Sequence, residues 1–116
     1  MAYQSFEDLV VWQRGCDLAV DVYVLFKHSK DFAYKDQMIR SSLSIPSNIA
    51  EGSERNSSKD FARFLHYAEG SCGELRTQLY LCERLESIDS EIARKLRKEG
   101  TEISAMLQGL ASSLNT

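Results

Sequence analysis

The sequence predicts an all-α fold, an antiparallel up-down-up-down four-helix bundle that occupies residues 1–116 as a single domain. Apolar residues recur every three or four positions along four long segments, which is the spacing of amphipathic helices. One proline and six glycines are too few for an all-β fold, which needs a turn every ~8–12 residues. Long helices joined by short links have to turn back on one another, and the bundle follows.

The first helix is predicted from about Ser5 to His28. Ser5 and Asp8 have the spacing of a capping box, with Asp in the place of Glu. One apolar seam alternates steps of three and four residues, and we expect it to face the core. Its members are Leu9, Trp12, Cys16, Ala19, Tyr23 and Phe26.

The second helix is predicted from about Tyr34 to Gly52 and contains Pro46, the only proline. A proline inside a helix removes a backbone donor and clashes with the carbonyl four residues back, here that of Ser42. Because this costs roughly 3 kcal/mol, we expect a kink at Pro46. The nearby serines and Asn48 are expected to bond the freed backbone groups.

The third helix is predicted from about Lys59 to Leu85, with Ser57 or Ser58 as its N-cap. Asp89 is predicted to cap the fourth helix. The inner face of the third helix holds Phe61, Phe64, Leu65, Ala68, Cys72, Leu75, Leu79 and Cys82. The inner face of the fourth holds Ile92, Leu96, Ile103, Leu107, Leu110 and Leu114.

Composition narrows the class of protein. The net charge of −3 does not suit a protein that binds polyanions over its whole surface. No apolar run approaches the ~20 residues of a membrane span, and no secretory leader is apparent. Cys16, Cys72 and Cys82 have no metal-type spacing and fall on apolar helix faces, so we expect buried free thiols in a reducing cytoplasm.

A second apolar stripe on the first helix is read in two ways. It is either part of a wide core face or a subunit interface, and we favour the interface because exposed apolar stripes mark interaction sites. The stripe consists of Val11, Gly15, Leu18, Val22 and Leu25. Gly70 and Gly73 in the third helix are either tolerated surface glycines or a place where another backbone approaches closely. Together these features predict a homo-oligomer.

Two polar features also leave alternatives open. Arg40, Asn48, Glu51 and Glu74 are predicted either to lie on a solvated face, to form a hydrogen-bonded network between the second and third helices, or to line a ligand groove. The positive cluster of Arg94, Lys95, Arg97 and Lys98 is either a solvated face beside glutamates or a contact for nucleic-acid phosphates.

Catalytic and metal-binding signatures are missing from the sequence. Di-iron bundles use Glu-x-x-His pairs, but residue 63 before His66 is Arg and residue 25 before His28 is Leu. There is no His-Glu-x-x-His, Cys-x-x-Cys, P-loop or dinucleotide fingerprint. We therefore predict a protein that is not an enzyme and has no metal and no cofactor.

Three blocks of the sequence carry a family resemblance. They are Phe6-Glu7-Asp8-Leu9-Val10-Val11-Trp12-Gln13, then Ser44-Ile45-Pro46-Ser47-Asn48-Ile49-Ala50-Glu51-Gly52, then Phe64-Leu65 through Gly70-Ser71 to Glu74-Leu75. The chain resembles the bacterial four-helix-bundle family encoded in intervening sequences of large-subunit ribosomal RNA genes. It is distantly similar to the accessory variability protein of diversity-generating retroelements, a five-fold bundle that partners a reverse transcriptase and nucleic acid.

The resemblance implies an antiparallel bundle and a ring-shaped homo-oligomer of five. In the family pattern a second Arg usually follows Arg40, but here the position is Ser41, which weakens a nucleic-acid contact at the second helix. The first functional hypothesis is a cytoplasmic, non-enzymatic assembly module whose partner is itself. The alternative is an RNA- or DNA-binding accessory protein of a ribonucleoprotein or reverse-transcriptase complex.

Overall fold

The computed structural model describes residues 5–114, which form four helices and no strand. They are α1 (Val10–Phe26), α2 (Phe32–Ser53), α3 (Ser58–Arg84) and α4 (Ser90–Ser113). The all-α, four-helix prediction is confirmed. Residues 1–4 and 115–116 of the predicted domain lie outside the described part. Within that part, no helix is both long enough and apolar enough to cross a membrane.

Each helix packs against two others, in the cyclic order α1, α2, α3, α4. Contacts between consecutive helices join the start of one to the end of the other. The sulfur atoms of Met38, early in α2, and of Cys82, late in α3, are 3.6 Å apart. At the other end of this pair, Gly52 of α2 lies against Phe61 of α3. This is the order of contacts that antiparallel neighbours make, and the particle measures 46 × 20 × 19 Å.

The first helix begins later than predicted. Ser5 caps a short 3-10 helix, Phe6–Asp8, by accepting a hydrogen bond from the backbone N–H of Glu7 rather than from Asp8. Leu9 is extended, so α1 starts at Val10. The break lets the Phe6 ring pack edge-to-face on Trp12, with 5.2 Å between ring centroids.

The predicted caps of the later helices are observed. The side chain of Ser57 accepts from the N–H of Asp60 at the start of α3. The carboxylate of Asp89 accepts from two backbone N–H groups at the start of α4. These bonds satisfy donors that a helix leaves unpaired in its first turn.

Pro46 lies inside α2, which continues from Phe32 to Ser53. Ser41 and Ser42 donate to the carbonyls of residues 37 and 39, and Asn48 donates to the carbonyl of Ser44. Within residues 5–114 no side chain donates to the Ser42 carbonyl, so the predicted repair of that group is not observed. Packing holds the proline instead, because its buried ring faces Gly15 of α1. The kink itself stays a prediction.

The core face of α1 takes in parts of both predicted apolar stripes. In the first stripe Ala19 and Phe26 are buried as predicted, and the second stripe, favoured as an interface, is also core, in line with the alternative of a wide core face. Leu18 is 1% exposed and Val22 is 0% exposed, and both belong to the bundle core. Val11 and Gly15 are also buried, and Leu25 packs against the same core. The predicted subunit interface at these five residues is therefore wrong, because their surface is covered within the chain.

The reason lies in the placement of α1 between two neighbours. Its inward direction points between α2 and α4, and the stripe through Val11, Leu18 and Val22 lies along that direction. Tyr23, assigned to the core by its spacing, is 53% exposed. Periodicity identifies the two stripes, but the neighbouring helices decide which residues of each stripe face inward.

Helix α2 approaches α3 so closely at its end that a side chain would not fit. A Cβ atom placed on Gly52 would lie 2.6 Å from the Cβ of Phe64 and 3.1 Å from Cδ1 of Phe61. Both phenylalanines are buried. Only glycine allows this spacing, and the closeness of the two helices follows from it.

We predict that Gly52→Ala destabilises the protein by about 1–3 kcal/mol, because α2 and α3 have to move apart. The matched control is Gly109→Ala in α4, where nothing lies within 4 Å of the added atom. The control is expected to stabilise by up to about 1 kcal/mol through helix propensity. Urea denaturation followed by circular dichroism measures both. Equal effects of the two changes would contradict the close packing.

Candidate interaction surfaces

A polar contact of short side chains joins α2 to α3. The Oγ atoms of Ser44 and Ser71 are 2.5 Å apart, and Ser71 also lies within 3.3 Å of the Tyr67 carbonyl. The pair is partly buried, so its mutual hydrogen bond satisfies groups that water reaches poorly. The sequence pattern identified the serines of α2 but not this partner on α3.

The predicted polar network does not form. Asn48 bonds within α2, and Glu51 forms an ion pair with Arg55 one turn later, at 2.9 Å. Arg40 and Glu74 are exposed. Among the described residues no hydrogen bond or ion pair joins any two of these four. The small serines bring the helices so close that the longer side chains are left at the edges of the contact.

A charged cluster that the sequence did not predict joins α1 to α4. The Arg14 guanidinium donates to both carboxylate oxygens of Glu99 and to Glu102, 2.6 Å from Oε1 of the latter. Its hydrogen bond holds the pKa of the Glu102 carboxyl below the usual value, and positive charge on Arg14 and Lys98 adds to that effect. The only sequence signal for this cluster was the spacing of Glu99 and Glu102, which places both acids on one side of α4, where a single arginine can reach them.

The predicted basic cluster of α4 is divided between two sides of the bundle. Arg94 and Arg97 turn toward α3, where both bond Glu83. Lys95 and Lys98 turn toward α1 and line a surface groove that contains several acids, Asp17, Asp21, Glu99 and Glu102. The four residues therefore do not present one continuous positive patch.

Exposed apolar side chains cover the outward side of the α1–α2 pair. Pro46 marks the edge of α2 that faces α1, and Ile39 lies two turns before it on the same edge. We call this surface the outer apolar face. Its residues are Trp12, Cys16, Val20 and Tyr23 on α1 and Phe32, Ile39 and Leu43 on α2. Val20, Tyr23, Phe32 and Leu43 are more than half exposed, whereas Trp12, Cys16 and Ile39 are partly buried at its margins.

The opposite side of the bundle, between α3 and α4, carries an open groove of about 410 Å³. Its lining is Gly73, Arg76, Thr77, Tyr80, Arg97 and Thr101. Gly70 and Gly73 have open space in front of them, with nothing within 4 Å of an added Cβ. Their predicted contact with another chain stays a prediction.

The thiols are poor nucleophiles. Cys72 and Cys82 are buried and Cys16 is partly buried. Burial raises the pKa of the Cys72 thiol to about 12 and also raises the pKa of Cys16. A thiol reacts as the thiolate, so the raised pKa slows the reaction of Cys72 and Cys16 near neutral pH, and Cys72 is also shielded by burial. In residues 5–114 no three His, Cys, Asp or Glu side chains group as a metal site would require.

We predict that Arg14→Gln lowers the melting temperature more at about pH 7 than at about pH 3. The lowered pKa of Glu102 means that its ion pair stabilises the fold above the ordinary glutamate pKa and is lost as the pH falls through the lowered value. Arg63→Gln is the control, because the polar partners of Arg63 among residues 5–114, Asp60 and Tyr67, both lie on its own helix. A melting-temperature loss that is the same at both pH values would contradict the assignment.

Comparison with known proteins shows a family and a fold. A model of the family described as "23S rRNA-intervening sequence protein" matches residues 7–109. The fold is similar to the crystal structure of a protein of unknown function from the S23 ribosomal protein family of Bacteroides thetaiotaomicron, with a TM-score of 0.84 and 30% sequence identity. The match covers 88% of this chain and 98% of that one. No curated protein matches the chain.

Proposed function

The chain belongs to the 23S rRNA-intervening sequence protein family, and we propose that it acts without catalysis, as a helical module that assembles with copies of itself in the cytoplasm. The observation that carries this proposal is the outer apolar face. Val20 is 59% exposed and Phe32 is 65% exposed, on adjacent helices of a small domain. Contiguous apolar surface of this kind marks a site of interaction.

The composition of this face favours a protein partner. Trp12, Tyr23 and Phe32 supply aromatic surface, and aromatic residues are enriched at protein interfaces. Arg40 and Asp36 border the apolar surface near Leu43, as a polar rim borders an apolar interface core. We propose that a second copy of the chain covers the face.

A ring requires a second, different patch on each copy, because the two sides of a ring contact are not equivalent. We propose that this patch lies on α3, where Tyr67, Leu81 and Leu85 are exposed toward the α2 side. Gly70 and Glu74 lie among them along the helix. The exposed Arg40 and Glu74 of the predicted network would then lie at the contact.

The positions of the two patches suit a small ring. They lie on adjacent sides of a four-sided bundle, and such sides face about 90° apart. A closed ring of five needs an angle of about 108° between its two contact surfaces, and a ring of four needs about 90°. Both values are close to the angle between the two patches, so the geometry supports a small ring, and we propose a ring of five because the family resemblance implies that number.

Support for a role without catalysis comes from the state of the reactive groups. Cys72 is buried and protonated, and the exposed His66 bonds the carboxylate of Glu69 on its own helix. Neither residue forms the hydrogen-bonded pair of nucleophile and base that covalent catalysis uses.

A second candidate function, that of an RNA- or DNA-binding accessory protein, is supported by the arginines on the α3–α4 side.

We predict that the native chain at tens of micromolar has a light-scattering mass that is a multiple of 13.2 kDa, and that Val20→Glu or Leu43→Glu lowers it. A carboxylate buried in an apolar contact is strongly unfavourable, while both positions are exposed within one chain and should leave the helical circular dichroism unchanged.

Val10→Glu is the matched control. Val10 lies on the same helix as Val20 and has a similar exposure, 57%, but it lies outside the outer apolar face. It should leave the mass unchanged. Loss of assembly in the control as well, or a native chain that is a monomer, would contradict the proposal. Leu18→Glu, by contrast, should unfold the chain because Leu18 is in the core.

A further inference from the structure

One arginine on the α3–α4 side is held in place but has no partner. The side-chain stem of Arg76 lies over Gly100 of α4, with its Cγ 3.1 Å from the position a Cβ on that glycine would take. Gly100 is buried inside a helix, where glycine is less favourable than alanine. Within residues 5–114 the Arg76 guanidinium makes no hydrogen bond or ion pair, although it lines the groove.

A second arginine is only half satisfied. Arg97 donates from Nη2 to Glu83 at 2.6 Å, but its Nε is buried and has no acceptor among the described residues. An unpaired buried donor destabilises the folded state. A small rotation of the side chain toward an anionic oxygen in the groove would satisfy it.

An exposed aromatic ring lies between positive charges in the same groove. The guanidinium carbon of Arg97 is 5.5 Å from the centre of the Tyr80 ring, and that of Arg84 is 6.0 Å away. Tyr80 is 45% exposed. Rings of this kind serve as platforms for unpaired bases, and neighbouring arginines bind the phosphates between them.

The charge of this side is opposite in sign to that of the chain. Arg76, Arg84, Arg94 and Arg97 outnumber the two acids that accompany them, Glu69 and Glu83. Glu69 is also paired with His66. The chain as a whole carries −3, so this side is more positive than the chain as a whole, whereas the groove on the α1–α4 side is lined by four acids and two lysines.

We infer that the α3–α4 groove binds the sugar–phosphate backbone of a single-stranded nucleic acid, with Arg76 and Arg97 on the phosphates and Tyr80 stacked on a base. The distance along α3 from Gly73 to Arg84 is about 16 Å, enough for a few nucleotides. The lining offers charge and one ring but no enclosed pocket for a base. Binding is therefore independent of sequence. This inference rests on the second candidate function and does not depend on self-association.

Fluorescence anisotropy with a 5′-labelled, mixed-sequence 12-nucleotide RNA at about 50 mM salt tests the inference on the full chain. Arg76→Gln should weaken binding about five- to tenfold and reduce the slope of log affinity against log salt by about 0.7, the value for one phosphate contact on a single strand. Tyr80→Leu should weaken binding about tenfold and leave the slope unchanged. Neither residue is in the core, and circular dichroism checks the fold.

The paired change Lys95→Gln with Lys98→Gln is the matched control. It removes two positive charges from α4, the helix that supplies Arg97, on the side that faces α1, and affinity should change less than twofold. No binding by the native chain, or a control that loses as much affinity as Arg76→Gln, would overturn the inference.

Two competitors identify the ligand. At constant ionic strength, unlabelled RNA should displace the probe, while inorganic phosphate and poly-glutamate should not. Displacement by phosphate as efficient as by RNA would overturn the assignment to a strand, and displacement by poly-glutamate would assign the groove to an acidic protein. Light scattering on the same samples separates the two proposals: an oligomer that binds no RNA contradicts only the groove, and a monomer that binds RNA contradicts only the assembly.

Discussion

The fold depends on the close approach of α2 to both of its neighbours. Gly15 of α1 faces Ile45 and Pro46, Ser44 touches Ser71 of α3, and Gly52 lies against Phe61 and Phe64. At each contact a small residue or a pair of hydroxyl groups replaces a large side chain. A proline that would break an exposed helix is tolerated here because its ring fills the space in front of Gly15.

The close packing of α2 on α1 and α3 determines which side chains stay exposed. With α2 held against α1, the core takes the stripe of α1 that includes Leu18 and Val22, and Tyr23 is turned outward. With α2 held against α3, Arg40 and Glu74 are left exposed at the edges of the contact. The outer apolar face therefore results from the way α2 packs, and the predicted polar network is lost for the same reason.

Local chemistry was predictable from the sequence, whereas relations between helices were not. The four helices and the caps at Ser57 and Asp89 follow from periodicity and from the few residue types that satisfy free N–H groups. The choice between two stripes on α1 depends on where α2 and α4 lie, which one helix does not encode. Likewise, the basic residues from Arg94 to Lys98 form one cluster in the sequence. Because a helix turns about 100° per residue, they lie on two different sides of α4. Arg76 over Gly100 could be recognised only once α3 and α4 were paired.

The proposed groove lies on the α3–α4 side, opposite the outer apolar face, and the second assembly patch lies on the other edge of α3, toward α2. Assembly through these two patches leaves the α3–α4 grooves exposed and repeated once per copy. Repetition raises the effective affinity for a long strand well above that of one groove. An acidic protein can in this way combine weak contacts into useful binding while its remaining surface repels polyanions.

Cys16 gives the most direct test of the outer apolar face, because it is the only one of the three cysteines that is not buried, and it lies on that face. The measurement is the rate at which a small maleimide labels the native chain at tens of micromolar, compared with the rate for the dissociated Leu43→Glu variant. The account predicts that Cys16 is labelled much more slowly in the native chain, because a second copy covers it. Equal labelling rates in the two proteins would contradict the claim that this face is the assembly surface.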